Sequence, residues 1–313
     1  MESEKEHIPT ESLCPHCLKK LSAKRVQKGE SVFLVKECPE HGFISTLVWK
    51  GKPDIKEWTR PKTPAGPKRH ATEEEKGCPF DCGLCNNHRQ RTCTALLEIT
   101  GRCNLNCPVC FADSGKETPD PGLDEIRTWY KKVSHWTEGK CNIQLSGGEP
   151  TVRNDLPEII SMGKEMGFNF IQLNTNGLRL AEDHKFVGKL KQAGLDTVFL
   201  QFDGMDESVH LKLRGRKLAK IKERAIANCC KHNLGIVLVP TLVPGVNDHQ
   251  VGEIIRFGLE RSPHVRGVHF QPVSYFGRFP TPPDDKDRIT LPQVIQAITA
   301  QTGIDGVHFT PPG

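Results

Sequence analysis

From residue 94 onward the chain alternates short apolar runs with longer amphipathic stretches. TALLEIT (Thr94–Thr100), NIQL (Asn142–Leu145), FNFIQL (Phe168–Leu173), TVFLQF (Thr197–Phe202), GIVLVPTL (Gly235–Leu242) and GVHFQ (Gly267–Gln271) are bounded by turn residues and predict six strands. Between them, Leu156–Met166 and Lys217–His232 space their apolar residues for a helix face. Strands alternating with helices predict a parallel α/β sheet, either an open doubly wound sheet or a partial barrel. In both, ligands gather in the loops at the C-terminal strand ends. A last helix is expected over 290–302, with Thr290 as cap and Pro292 in its first turn. The chain then stops at FTPPG without a closing element, so the expectation is a shortened C-terminus.

Before residue 94 the pattern changes. Ser31–Lys36 and Phe43–Trp49, on either side of CPEHG, predict a hairpin within a small β-rich module over residues 1–58. Residues 59–76 are proline-rich and poor in apolar side chains, so they are expected to be a linker. A cysteine-bearing stretch (77–93), the strand–helix core (94–280) and the beginning of a C-terminal extension (281–313) complete the expected organisation.

Composition narrows the class. Hydrophobic residues make up 36% and charged residues 26% of the 313, as in globular domains. A net charge of +5 is too mild to call for a nucleic-acid partner. The N-terminus lacks an apolar signal core, and the longest apolar run, Ile236–Val243, is interrupted by Pro240. The expectation is a cytoplasmic protein without a transmembrane segment. Its 13 cysteines are then expected to bind metals rather than form disulfides. Cys141, Cys229 and Cys230 lie outside the three upstream groups and read as ordinary thiols.

The third group, Cys103, Cys107 and Cys110, follows the first strand as CNLNCPVC. Three thiolates on one tight loop can hold three irons of a [4Fe–4S] cluster and leave the fourth iron open; a zinc knuckle is the alternative. Directly after the second strand comes Ser146-Gly147-Gly148-Glu149-Pro150, whose glycines permit close backbone approach. CxxxCxxC after strand one with GGEP after strand two resembles the radical S-adenosylmethionine (SAM) superfamily, from about Thr94 to Arg278. The resemblance implies a partial (β/α)6 TIM-like barrel in which Cys103, Cys107 and Cys110 ligate the cluster, followed by the aromatic Phe111. It implies that the Gly147–Gly148–Glu149 turn receives the methionyl ammonium of SAM and that Asn174 and Asn176 meet the cofactor. Asp203 would bind the ribose, Arg214 the SAM carboxylate, and Gln271 with Pro272 would lie near the adenine. The implied chemistry is reductive cleavage of SAM and hydrogen abstraction from an unactivated carbon. It requires an electron donor such as ferredoxin or flavodoxin.

The second group, Cys78, Cys82 and Cys85, repeats the cluster spacing. With Cys93, His88 or a residue from elsewhere as the fourth ligand it predicts an auxiliary [4Fe–4S] cluster, a four-thiolate zinc site being the alternative. The first, Cys14–Cys17 with Cys38 and His41, has the spacing of a Cys3His site for mononuclear zinc or iron, His16 being solvated. The whole order of CPxC, CPEHG, CPxxCGLC and CNLNCPVCFA resembles one radical SAM group. That group holds archaeal tetraether-lipid synthases and 7,8-dihydro-6-hydroxymethylpterin methyltransferases. It implies C–C bond formation between lipid chains or C-methylation of a pterin-like substrate, and further sequence beyond residue 313. A lipid substrate predicts a long apolar channel and peripheral membrane contact, whereas a pterin predicts a compact polar pocket. A zinc-binding interaction protein and a truncated, non-catalytic paralogue are the competing readings.

Overall fold

The computed structural model describes all residues except 1–4, 62–64, 76, 78–79, 82–83, 86–87, 89, 116–118, 140 and 313. They form two compact units: Met1–Pro64 with His70–Asn87 and Pro283–Gly313, and Ala65–Arg69 with His88–Pro282.

The first unit is built on an antiparallel meander of β1 (Lys5–Leu13), β2 (Lys20–Lys28), β3 (Ser31–Cys38) and β4 (Gly42–Lys50). β3 and β4 are the predicted hairpin. β1 and β2 escape a sequence reading because charged residues crowd them; in β2 only Leu21, Ala23 and Val26 are buried. The edge of β4 is covered by the C-terminal segment. Leu47 N–H donates to Asp285 Oδ1 at 3.0 Å and Lys50 N–H to Thr290 Oγ1 at 3.1 Å, which occupies an otherwise open edge. Thr290 and Gln293 form the capping box of the last helix, Leu291–Thr302.

The second unit holds a sheet of six parallel strands. These are β5 (Thr94–Thr100), β6 (Asn142–Gly147), β7 (Ile171–Thr175), β8 (Thr197–Gln201), β9 (Gly235–Val239) and β11 (Val265–Val268). Across the sheet they run in the order β11-β9-β8-β7-β6-β5. The order never reverses, so there is no switch point; the sheet is wound as a partial barrel, not doubly wound. Helices α1 (Leu123–Thr137), α2 (Leu156–Glu165), α3 (Leu178–Glu182), α4 (His184–Gln192), α5 (Glu207–Arg214), α6 (Ala219–Lys231) and α7 (Val251–Leu259) alternate with the strands. The expected boundaries shift most at three strands. Pro240 has no N–H for the ladder, so the run Gly235–Leu242 breaks there; Thr241–Leu242 (β10) pairs instead with Gln271–Pro272 (β12). Phe168 lies ahead of β7 as a buried anchor, and the last strand starts at Val265.

One face of this sheet packs on the helices through Leu97, Ile99, Ile143, Leu145, Ile171, Leu173, Val198, Leu200, Ile236 and Leu238, all buried. The other face alternates with these and carries Glu98, Gln144, Ser146, Gln172, Asn174 and Gln201. Parallel strands are normally apolar on both faces, so a polar concave face marks a binding surface rather than a packed core.

Candidate functional site

The cysteine loop following β5 is held from two sides. On one side the GGE turn after β6 is clamped to it: Gly148 N–H donates to Thr100 O and Glu149 N–H to Arg102 O, each at 2.8 Å. A Cβ on Gly147 (φ +123°) would overlap the Thr100 carbonyl oxygen, and one on Gly148 the Arg102 carbonyl oxygen. The glycines are therefore needed for contact between two backbones. The Glu149 side chain is buried and saturated. It accepts from Thr151 N–H and Oγ1 (3.1 and 2.6 Å), Thr175 Oγ1 (2.7 Å) and Asn176 N–H (2.6 Å).

On the other side Arg278 pairs backbone to backbone with Cys110, at 2.9 and 2.8 Å. Its guanidinium donates to Cys107 O (2.8 Å) and Ser114 O (3.3 Å). Gly277, at φ +73°, sits where a Cβ would meet the Phe111 and Cys110 carbonyls. The electrostatics of the three thiols differ. Burial raises the pKa of Cys103 and of Cys107, the latter opposed by the Arg214 charge. At Cys110 burial is outweighed by hydrogen bonds from Ser114 and the Ala112 amide and by the Arg278 charge, so its pKa falls.

Beside the loop lies a cavity of about 490 Å³. Cys103, Cys107, Cys110, Phe111, Gly147, Gly148, Glu149, Asn174, Asn176, Arg214 and Gln271 all line it, together with Pro272. Phe111 and Phe276, both exposed, meet edge-on at 6.1 Å. Asp203 is the exception among the expected site residues. It is fully buried and outside the cavity lining, its oxygens taken by Arg214 Nε (2.7 Å) and Nη2 (2.6 Å) and by Thr241 N–H (3.1 Å). The backbone leaving β8 turns toward β9, with Phe202 N–H donating to Val239 O, and this carries Asp203 beneath the site. Both oxygens of Asp203 are thus committed to groups beneath the cavity. The same pairing commits the Arg214 fork, whose remaining donors reach Val109 O (3.0 Å) and Thr241 Oγ1 (2.9 Å). Arg214 thus braces the cysteine loop and has no free fork for a carboxylate.

Lys222 was not legible in the sequence. It is fully buried on α6, its Nζ donating to Asn176 O at 2.5 Å. Burial, reinforced by the Arg214 charge and opposed by Asp203, pulls its pKa down to about 8. The unfolded chain binds this proton up to about pH 10.4, so between pH 8 and 10.4 the unfolded state is the more protonated one. Stability should therefore rise across that window by about 3 kcal/mol from this group. Urea unfolding of wild type and Lys222→Met at pH 7.5 and 10 checks this: the rise should flatten in the variant.

In the first unit Cys14, Cys17, Cys38 and His41 bring their ligand atoms within 4.8 Å of one another. Cys17 Sγ to Cys38 Sγ is 3.8 Å, Cys38 Sγ to His41 Nδ1 is 3.5 Å and Cys14 Sγ to His41 Nδ1 is 3.7 Å. A tetrahedral ion with bonds of about 2.3 Å to sulfur and 2.0–2.1 Å to nitrogen has edges of about 3.8 and 3.5 Å. The quartet fits a single ion. Burial opposes ionisation of Cys14, but the backbone amides of Cys17 and His16 outweigh it and bring the pKa to about 7. His16 stacks on the His41 ring at 4.9 Å. Cys38→Ser should release the ion and melt β1–β4, because binding free energies of about 10–16 kcal/mol sustain such modules. Metal analysis with far-ultraviolet circular dichroism reads both; a folded, metal-free variant refutes it.

The expected auxiliary ligands are incompletely visible: Cys78 and Cys82 lie outside the described residues. Cys85 is buried in the first unit, and exposed Cys93 precedes β5 in the second.

The parallel partial barrel, with three thiols at the end of its first strand and a glycine turn at the end of its second, defines the class. The chain belongs to the radical SAM superfamily, whose family model matches residues 97–258, and is an enzyme of that class. More particularly, residues 7–50 match the HMPTM N-terminal zinc ribbon domain. A 7,8-dihydro-6-hydroxymethylpterin dimethyltransferase from Methanocaldococcus jannaschii is 42% identical over 296 residues, covering 94% of this chain and 58% of that protein. A GTP 3',8-cyclase of Limosilactobacillus fermentum is 29% identical over 183 residues, 56% of this chain and 54% of its own length. The chain thus spans little more than half the length of these relatives. Among solved structures, methylornithine synthase superposes with a TM-score of 0.54 at 14% identity, covering 68% of this chain and 64% of that one, and shares the fold. Membership implies a [4Fe–4S] cluster and SAM, and the thiol loop and cavity fit them. No helix among the described residues is long and apolar enough to cross a membrane.

Proposed function

We propose that this protein methylates carbon atoms of a pterin-like heterocycle, using a cluster held by Cys103, Cys107 and Cys110 and SAM seated in the adjoining cavity. The removed hydrogen leaves as 5′-deoxyadenosine, the methyl comes from a second SAM that departs as S-adenosylhomocysteine, and the electron donor gives one electron for each SAM consumed. Cluster and SAM together supply a hydrogen-abstracting radical. The protein's own residues then have distinct tasks. Backbone oxygens of Gly147 and Gly148 receive the ammonium, since the Glu149 carboxylate is fully engaged. Asn176 lies beside the cofactor, Gln271 and Pro272 wall the adenine, and Arg214 and Arg278 hold the loop geometry.

The observation that carries the substrate reading is the row of hydrogen-bonding side chains, among them Ser146, Asn174 and Gln201, on the sheet wall of a cavity whose remaining lining includes Phe111, Phe199 and Phe270. A flat heterocycle can stack on those rings and exchange hydrogen bonds with that wall, which a lipid tail cannot do. The named relatives support the same reading, because dihydropterin and GTP share a 2-amino-4-oxo-pyrimidine ring. In this proposal zinc fills the N-terminal quartet, and Cys78, Cys82 and Cys85 with Cys93 or His88 hold an auxiliary [4Fe–4S] cluster. A ferredoxin or flavodoxin in the cytoplasm supplies electrons.

Anaerobic reconstitution with iron and sulfide, then dithionite and SAM, should yield 5′-deoxyadenosine. Added dihydropterin should gain methyl mass while an archaeal lipid extract stays unchanged. A fully loaded protein that leaves SAM intact sinks the catalytic reading; methylated or coupled lipid sinks the pterin.

A further inference from the structure

Three side chains on the concave face form an ordered donor–acceptor array. Gln144 Nε2 donates to Asn174 Oδ1 at 2.7 Å, and Gln172 Nε2 approaches the same oxygen at 3.5 Å. Two donors on one oxygen fix which way the Asn174 amide lies, so its Nδ2 points to Ser146 Oγ, 3.3 Å away. The Ser146 hydroxyl accepts there and keeps its own hydrogen to donate. Next to Ser146, in register on β5, is Glu98. Neighbours on one sheet face lie about 5 Å apart, within reach of one small ring. Glu98 is exposed, is not itself among the residues lining the cavity that Ser146 and Asn174 line, and makes no ion pair or hydrogen bond among the described residues. One register step beyond Asn174, Phe199 adds an aromatic wall, meeting His269 edge-on at 5.1 Å.

From β5 to β7 the array presents a carboxylate with two acceptor oxygens, then the Ser146 hydroxyl and the Asn174 amide as donors. Its complement is a ring edge with two adjacent N–H donors beside a carbonyl. We propose that Glu98, Ser146 and Asn174 read the 2-amino-4-oxo-pyrimidine edge of the substrate, with the Glu98 carboxylate taking the 2-amino and N3 hydrogens as a charge-assisted pair. This rests on the reading that the substrate is a pterin-like heterocycle, but the edge is equally that of a guanine nucleotide, so the test separates the two. Gln144 and Gln172 are positioning residues that orient Asn174.

Equilibrium dialysis of the cluster-loaded protein with SAM, using 7,8-dihydro-6-hydroxymethylpterin, its 2-oxo counterpart and GTP as probes, tests the assignment. Wild type should prefer the 2-amino to the 2-oxo ring by at least about tenfold, since a site built for a hydrogen bond rejects a ligand lacking it. Glu98→Gln should weaken the pterin by about 10–100-fold and bring that ratio near one. Glu98 is exposed on an edge strand, so the variant should fold; circular dichroism and iron content verify it. An unchanged ratio in Glu98→Gln overturns the edge assignment alone. GTP bound in place of pterin upholds the edge and overturns the pterin reading. Wild type binding none of the three overturns both.

Discussion

Gly148→Ala should leave the protein unable to retain its cluster. Gly148 does not need a left-handed backbone; it needs the absence of a Cβ, because its own backbone touches the carbonyl of Arg102, one residue before Cys103. An added methyl must push the loops after β5 and β6 apart, breaking the two 2.8 Å bonds between them. A displacement near 1 Å costs about 100-fold in a positioned reaction, so 5′-deoxyadenosine formation should fall by at least that factor. Iron content after reconstitution should fall with it. Gly167→Ala is the control: its φ is +89° but its Cβ would meet nothing within 4 Å, so only a torsional cost of about 1 kcal/mol arises. If Gly148→Ala keeps iron and turnover while Gly167→Ala behaves as wild type, backbone contact between the loops is not what holds the site.

Asp203→Ala should cost about 3–5 kcal/mol of stability at pH 7, the penalty of leaving the Arg214 guanidinium buried without its partner. Burial works to raise the Asp203 pKa, but the Arg214 charge and hydrogen bonds hold it below the ordinary carboxylate value. A folded pKa that is depressed gives stability present above about pH 4, lost as acid protonates the native carboxylate. Urea unfolding at pH 7 and 3 should therefore show a smaller gap between wild type and variant at the lower pH. The double variant Asp203→Leu/Arg214→Met should recover much of the loss, because removing both members of a buried pair is far cheaper than removing one. Should Asp203 instead serve the SAM ribose, SAM affinity would fall in Asp203→Ala with stability unchanged.

The sequence reveals what depends on neighbours along the chain and conceals what depends on partners far away. β5 to β9 are legible because each presents a dense apolar run, and the metal quartet because CxxC and CxxH each close over a local turn. Cys103, Cys107 and Cys110 and the GGE turn are legible as spacing. The same spacing is silent on what Glu149 bonds to, and it says nothing of the pairing between Asp203 and Arg214. Lys222 looks like its neighbour Lys220 in a charged amphipathic stretch; only the fold sends its ammonium inward to the Asn176 carbonyl. The polar concave face is harder to read: NIQL and FNFIQL read as strands and Asn174 as a cofactor contact, but nothing along the chain says that Gln144, Gln172 and Asn174 meet in one hydrogen-bonded wall.

The clasp of Gly277 and Arg278 on the Cys110 turn bears on how the protein is made. Proteins fold as they emerge, N-terminal parts first. The three thiols leave the ribosome long before residues 276–278 exist, so during synthesis they sit on a loop lacking one of its two braces. Full bracing of the thiol loop is thus a property of the folded core and not of the short segment that carries the three cysteines.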